Sequence, residues 1–127
     1  NFRQIAQFDV LAEWIRIQSV KVESLVSICV GVFLLVGALR EKVAGHRLTT
    51  HHGGIKLLKE KIDSYSVDAE VVDGVRYVPS GNVYSSAGVS AGIDLAFFLV
   101  SKWYGQEVAH KVANIMEYNR TVNWSVD

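Results

Sequence analysis

Leu25-Val-Ser-Ile-Cys-Val-Gly-Val-Phe-Leu-Leu-Val-Gly-Ala-Leu39 carries no charge, and its reading decides the fold. Residues Leu25 to Ile28 read as a short strand, apolar at nearly every position as a strand buried on both faces should be. The remainder reads as a helix. Cys29, the one cysteine of the sequence, then falls on the turn between them. Gly31 allows tight packing where strand passes into helix, the construction used when a nucleophile is displayed on a strained strand-to-helix elbow. A sulfur there sits at a helix N-terminus, whose unpaired N–H groups and positive dipole end favour the reactive thiolate. Two other readings stand beside this one. Free cysteine often serves as a small hydrophobe in a core strand. A membrane span is the other, but the stretch falls short of the ~18 to 20 apolar residues needed to cross a bilayer, and Arg40, Glu41 and Lys42 follow at once.

A chain of 127 residues, half of them apolar, is long enough for a single core and excludes a disordered protein. Thirteen basic and thirteen acidic residues balance without a run of either sign, so no footprint for nucleic acid or an anionic membrane is present. One cysteine cannot form an internal disulfide, which suits a cytoplasmic protein. Asn1-Phe-Arg-Gln4 is neither an initiator methionine nor the start of a signal peptide, and suggests a chain that begins in the middle of a domain.

In chain order, Asp9 can cap an amphipathic helix carrying Val10, Leu11, Trp14, Ile15 and Ile17. The helix after Cys29 should run to Gly45, with a β-type segment from Arg47 to Thr50 ending at His51. Gly53 and Gly54 precede a helix from about Ile55 to Ile62. Val67 to Val72, Asp73-Gly74 and Val75 to Val78 carry the strongest hairpin signal, because Asp-Gly supplies positive φ angles. Pro79 to Asn82 is a turn and Val83 to Ser86 a strand. Helices follow from about Ser90 to Tyr104, with Ser90 as N-cap, and from Gln106 to Tyr118. Alternating strands and helices argue for an α/β layered sheet with helices on both faces.

Ser27-Ile-Cys-Val-Gly31 followed by Phe-Leu-Leu, Arg47-Leu-Thr-Thr-His51, Asn82-Val-Tyr-Ser-Ser-Ala-Gly-Val-Ser-Ala-Gly-Ile-Asp94, and Glu107-Val-Ala with Glu117-Tyr118 together resemble the ThiJ/PfpI superfamily. This glutamine-amidotransferase-like group includes isonitrile hydratases, deglycase or chaperone-like proteins, intracellular peptidases and sensor domains of AraC-type regulators. The resemblance implies a flavodoxin-like doubly wound sandwich, a parallel sheet with a β-hairpin, usually dimeric. Cys29 would be the nucleophile and His51 its neighbour. The family's acid partner to the cysteine and its Gly-Gly loop have no counterpart in this sequence. By that comparison residues 1–127 form the C-terminal two-thirds of one domain, incomplete at its N-terminus and not a self-sufficient enzyme. A threonine commonly follows the cysteine in the hydratases, where this chain has Val30.

The function these readings imply is a cysteine-dependent enzyme that hydrates or hydrolyses a carbon–nitrogen bond in a small-molecule substrate. Cys29 attacks, the Val30 N–H holds developing negative charge, and His51 assists proton transfer. Gly31 and Gly88 are expected to line the pocket. A second class is a non-catalytic ligand or oxidation sensor read out through sulfenic or sulfinic acid at the same cysteine. His52 competes with His51 for the pocket-facing place, while His46 and His110 read as surface residues. Gly88-Val-Ser-Ala-Gly92 fits Gly-x-Ser-x-Gly, but no acid and histidine follow in hydrolase order. Asp94 reads as a helix-dipole partner, and Trp14, Trp103 and Trp124 share no stripe. No metal-ligand spacing recurs, and no cofactor is called for. The expected partner is a second copy of the chain in a homodimer, with no nucleic acid and no membrane.

Overall fold

The computed structural model describes residues 9–118. Strands β1 (Leu25–Ile28), β4 (Tyr77–Ser80) and β5 (Val83–Ser86) form one sheet in the order β1-β5-β4. β1 and β5 run parallel and β4 antiparallel to β5. Strands β2 (Arg47–Leu48) and β3 (Glu70–Val71) make a separate parallel pair. Helices α1 (Asp9–Ser19), α2 (Val32–Leu39), α3 (Ile55–Ser64), α4 (Val89–Tyr104) and α5 (Gln106–Ile115) complete the mixed α/β architecture.

Two cores flank the three-stranded sheet. On one face α2, apolar on every side and therefore buried, joins Leu48, Leu58, Ile62 and Val83 in a cluster around Phe33. On the other, Tyr84 of β5 packs on Leu95, Phe98 and Leu99 of α4, with Ala113 of α5 behind them. Each such side chain contributes about 1.5–3 kcal/mol of burial. α1 lies over α2, tied by a 3.0 Å hydrogen bond from Arg16 Nε to the Ala38 carbonyl, and none of its residues is fully buried. Trp14 and Trp103 are both exposed, and Trp124 lies outside the described residues.

The structure corrects several readings. The helix after the elbow stops at Leu39, where Arg40 adopts a φ of +41°, and only a 3-10 turn (Arg40–Val43) continues toward Gly45. Asp9 stands in the first turn of α1 and not ahead of it. The last helix ends at Ile115 and not at Tyr118, with Met116 exposed just beyond it. The hairpin does not lie at Asp73-Gly74. That pair does make a bend, with Gly74 at a φ of +73° and its N–H donating to Asp73 Oδ1 at 2.7 Å. The strands flanking it find other partners, however: Glu70 and Val72 donate to the His46 and Leu48 carbonyls, and Tyr77–Ser80 turns back on β5. The true hairpin pairs Ser80 with Val83 across Gly81-Asn82, where Gly81 supplies a positive φ of +60° at the first loop position.

β1 is not covered on both faces. Val26 and Ile28 remain 43% and 49% exposed, whereas Ser27 is buried. The Leu25 N–H donates to the Asn82 carbonyl, so in a parallel ladder Leu25 and Ser27 direct their backbone groups to β5 while Val26 and Ile28 direct theirs away. Among the described residues that side of β1 carries no strand.

The second core is closed by a polar knot. Asp94, on α4 and 1% exposed, pairs with the Arg76 guanidinium and accepts the Tyr118 hydroxyl at 3.1 Å. It is thus a buried ion-pair partner and not merely a helix-dipole charge. A buried carboxylate needs this company, because an unpaired one would cost several kcal/mol. Burial, followed by the adjoining Asp94 carboxylate, pushes the Tyr118 and Tyr77 phenols above their ordinary 10.0. The unfolded chain therefore sheds these protons first as pH rises. Stability is fully present below about pH 10 and is lost as pH climbs through the raised folded values. Urea unfolding of wild type and Tyr118→Phe from neutral to strongly alkaline pH should show a smaller alkaline loss in the variant. Equal slopes would show that the phenol is not linked to folding.

Candidate functional site

The parallel register Leu25↔Val83 to Ile28↔Ser86 delivers the ends of β1 and β5 to one edge of the sheet. Cys29 leaves β1 there in a 3-10 turn (Cys29–Gly31) that runs directly into α2. Its φ is +57°, a left-handed conformation rare for a residue with a Cβ, so the expected elbow is real as backbone geometry. The cysteine is free and partly exposed. Its carbonyl accepts a 2.9 Å hydrogen bond from the Thr50 hydroxyl.

β5 continues past Ser86 through Ala87 to Gly88, the N-cap of α4. A Cβ at Gly88 would lie 2.9 Å from His51 Cδ2, so the imidazole rests against bare backbone that only glycine offers. His51 Nδ1 accepts the Gly53 N–H at 3.1 Å. In the neutral ring the proton then sits on Nε2. The His51 and His52 rings are tilted against each other with centroids 4.2 Å apart. Both line a depression of about 480 Å³ with Arg76, Gly88, Ser90 and Ile93. The competition between the two histidines therefore has no single winner by placement.

The structure brings His51, His52 and Gly88 together at the edge where Cys29 turns, and links Cys29 to Thr50, the residue before His51. Cys29 itself is not among the residues lining the depression. Val30 is partly buried against the first core. Gly31 has a φ of −58°, and a Cβ there would meet Ser27 Cβ only at 4.0 Å, an ordinary contact. It faces a different groove, between α1 and β1, with Leu11, Trp14 and Ile28. The close approaches are instead at Gly88 and at Gly92, whose Cβ would lie 2.7 Å from Ile28 Cγ2. Ser90 is not a cap but a residue of the first turn of α4, and its Oγ lies 3.2 Å from Arg76 Nη2. His46 is held by Ser80 through Nδ1, and His110 is exposed. Among the described residues no carboxylate lines the depression, and no group of three or more His, Cys, Asp or Glu could hold a metal. No described helix is long and apolar enough to cross a membrane.

No family model matches the sequence, and no curated protein does. Solved structures do match. A ThiJ/PfpI family protein from Pseudomonas syringae superposes with a TM-score of 0.78 at 20% identity, over 96% of this chain and 48% of its own. The fold is that of the ThiJ/PfpI and DJ-1 proteins. Drosophila melanogaster DJ-1beta matches at a TM-score of 0.70 and 19% identity, over 94% of this chain and 59% of that one. Toxoplasma gondii DJ-1, in an oxidized form, gives 0.66 and 17% over 94% and 59%. The chain thus spans about half the length of these ThiJ/PfpI and DJ-1 structures.

Sequence reading missed Thr50 and Arg76. Thr50 stood in plain view ahead of His51, but its partner is a backbone carbonyl, which no side-chain pattern signals. Arg76 lies 18 positions from Asp94, too far for helical spacing to link them.

The left-handed Cys29 predicts a measurable strain. Relative to Cys29→Ala, Cys29→Gly should be about 1 kcal/mol more stable in urea unfolding, because glycine adopts this φ freely whereas alanine keeps the Cβ clash. A glycine variant less stable than the alanine variant would contradict the observed elbow.

Proposed function

We propose that this chain carries the nucleophilic half of a cysteine-dependent small-molecule enzyme of ThiJ/PfpI type, acting on a carbon–nitrogen bond. The observation that carries the reading is the left-handed Cys29, set on a strand-to-helix turn at the sheet edge where His51 rests on Gly88. In hydrolysis of an amide, the Cys29 sulfur adds to the carbonyl carbon and the Val30 N–H supports the oxygen as it gains charge. The C–N bond then breaks, the amine leaves with a proton passed through His51, and water releases the thioester as an acid and a free thiol. For an isonitrile the same sulfur adds to the terminal carbon, and water then displaces it to leave a formamide. Val30 in place of the usual threonine favours the hydrolytic form.

The open side of β1 and the half-length match both support taking the chain as part of a larger domain. On this reading the remaining part supplies the acid that poises Cys29, and two copies pair as a homodimer. A sensor reading has one observation in its favour: a structural neighbour, the Toxoplasma gondii DJ-1, is in an oxidized form. In that case Cys29 is oxidised to sulfinic acid and no turnover follows.

The complete domain, this chain together with the part that supplies the acid, should turn over at least one member of a panel of small amides and isonitriles, with Cys29→Ala reducing the rate by about 10³-fold or more. His51→Ala should reduce it about 10²-fold, the ordinary worth of a proton-transfer group. No turnover by that complete domain, with clean addition of two oxygen atoms at Cys29 under mild peroxide by mass spectrometry, would favour the sensor.

A further inference from the structure

We infer that Thr50 is a positioning residue that aims the Val30 N–H, the proposed oxyanion donor; this rests on the reading of the site given above. The Thr50 hydroxyl is the donor and the Cys29 carbonyl the acceptor, at 2.9 Å, and Thr50 is 1% exposed. The described peptide bonds are all trans, so the Cys29 C=O and the Val30 N–H lie on one rigid plane and point in opposite directions. A hydroxyl that holds the oxygen on the buried side fixes the N–H on the other.

The magnitudes show why the hold matters. A left-handed residue with a Cβ costs about 1–2 kcal/mol, and rotation of the following peptide is a way to relieve that strain. One hydrogen bond contributes about 1 kcal/mol net, a size comparable with that strain. The bond is therefore of the right size to decide which way the 29–30 peptide faces. Thr50 is itself held: a Cβ at Gly54 would lie 3.2 Å from Thr50 Cγ2 and 3.4 Å from Phe33 Cε2, so the γ-methyl sits in a close-fitted seat. A β-branched side chain in such a seat has one rotamer, and its hydroxyl has one direction.

The test separates the thiol from the oxyanion donor. Iodoacetamide needs only an accessible thiolate. An aldehyde also needs the donor, since the sulfur adds to the carbonyl carbon and the new oxygen is held as it takes up the thiol proton, with no change of oxidation state. Carbon-13-labelled acetaldehyde is titrated against wild type, Thr50→Val and Thr50→Ser, with Cys29→Ala as blank, and the thiohemiacetal is read by NMR. Thr50→Val should bind the aldehyde about tenfold more weakly, Thr50→Ser should recover to within about threefold of wild type, and all three should alkylate within about twofold of one another. In wild type the Val30 amide should shift on adduct formation more than its neighbours, a readout independent of whether a variant folds. Equal adduct affinity in Thr50→Val, no recovery in Thr50→Ser, or an unmoved Val30 amide would overturn the role of Thr50 and leave Cys29 as nucleophile. A wild type that alkylates but forms no adduct would remove the oxyanion site and both readings with it.

Discussion

The parallel pairing of β1 with β5 is the constraint on which everything at the candidate site depends. Register is quantised in a sheet: a slip of one residue sends every side chain to the opposite face. With Ile28 opposite Ser86, Cys29 and Gly88 leave the sheet at the same edge and one connection apart. The same register puts Ile28 against Gly92 of α4 and Ser27 beneath Gly31 of the elbow turn, so both helices that cover the strand seat against it by small residues. β2 and the residues after it are then brought alongside by side-chain bonds in place of a continuous ladder. The Thr49 N–H donates to Ser85 Oγ at 2.9 Å, and the Arg47 N–H donates to Ser80 Oγ at 2.9 Å. That is how Thr50 reaches the Cys29 carbonyl and His51 reaches Gly88.

Two kinds of strain and burial are compensated near this edge. The left-handed Cys29 is held by one hydrogen bond from a buried threonine, and the buried Asp94 is held by an arginine and a tyrosine from elements distant in sequence. Neither arrangement is needed to build a core of Val, Leu and Phe. Both fix the position of polar groups beside the depression, since Arg76 bridges from Asp94 toward Ser90. A fold optimised for stability alone would place a glycine at position 29 and an apolar pair at 76 and 94.

The sequence made the elbow legible because strand, cysteine and helix are local, and local order is read from local pattern. Residues Val83 to Ser86 and the long helix after Gly88 were legible for the same reason. Pairing was not. Asp73-Gly74 announced a bend, and nothing in its neighbourhood revealed that Glu70 would seek Arg47 and Tyr77 would seek Ser86. β1 looked doubly covered because its residues are apolar, but composition records what a side chain tolerates, not what lies over it. Ser90 looked like a cap because capping residues are short and polar; the backbone turned one step earlier, at Gly88, where the histidine ring leaves no room for a side chain.

Because Cys29 is the one cysteine, a nitroxide attached to its sulfur reports distance to every backbone amide without further mutation. Paramagnetic broadening falls with the sixth power of distance, and the four-residue strand separates its two ends by about 13 Å. The account predicts that the His51, His52 and Gly88 amides are broadened several-fold more than those of Gly81 and Asn82 at the far end of β5. Stronger broadening at Gly81 and Asn82 than at His51 and Gly88 would show that β1 and β5 do not share this direction and register, and the candidate site would not exist.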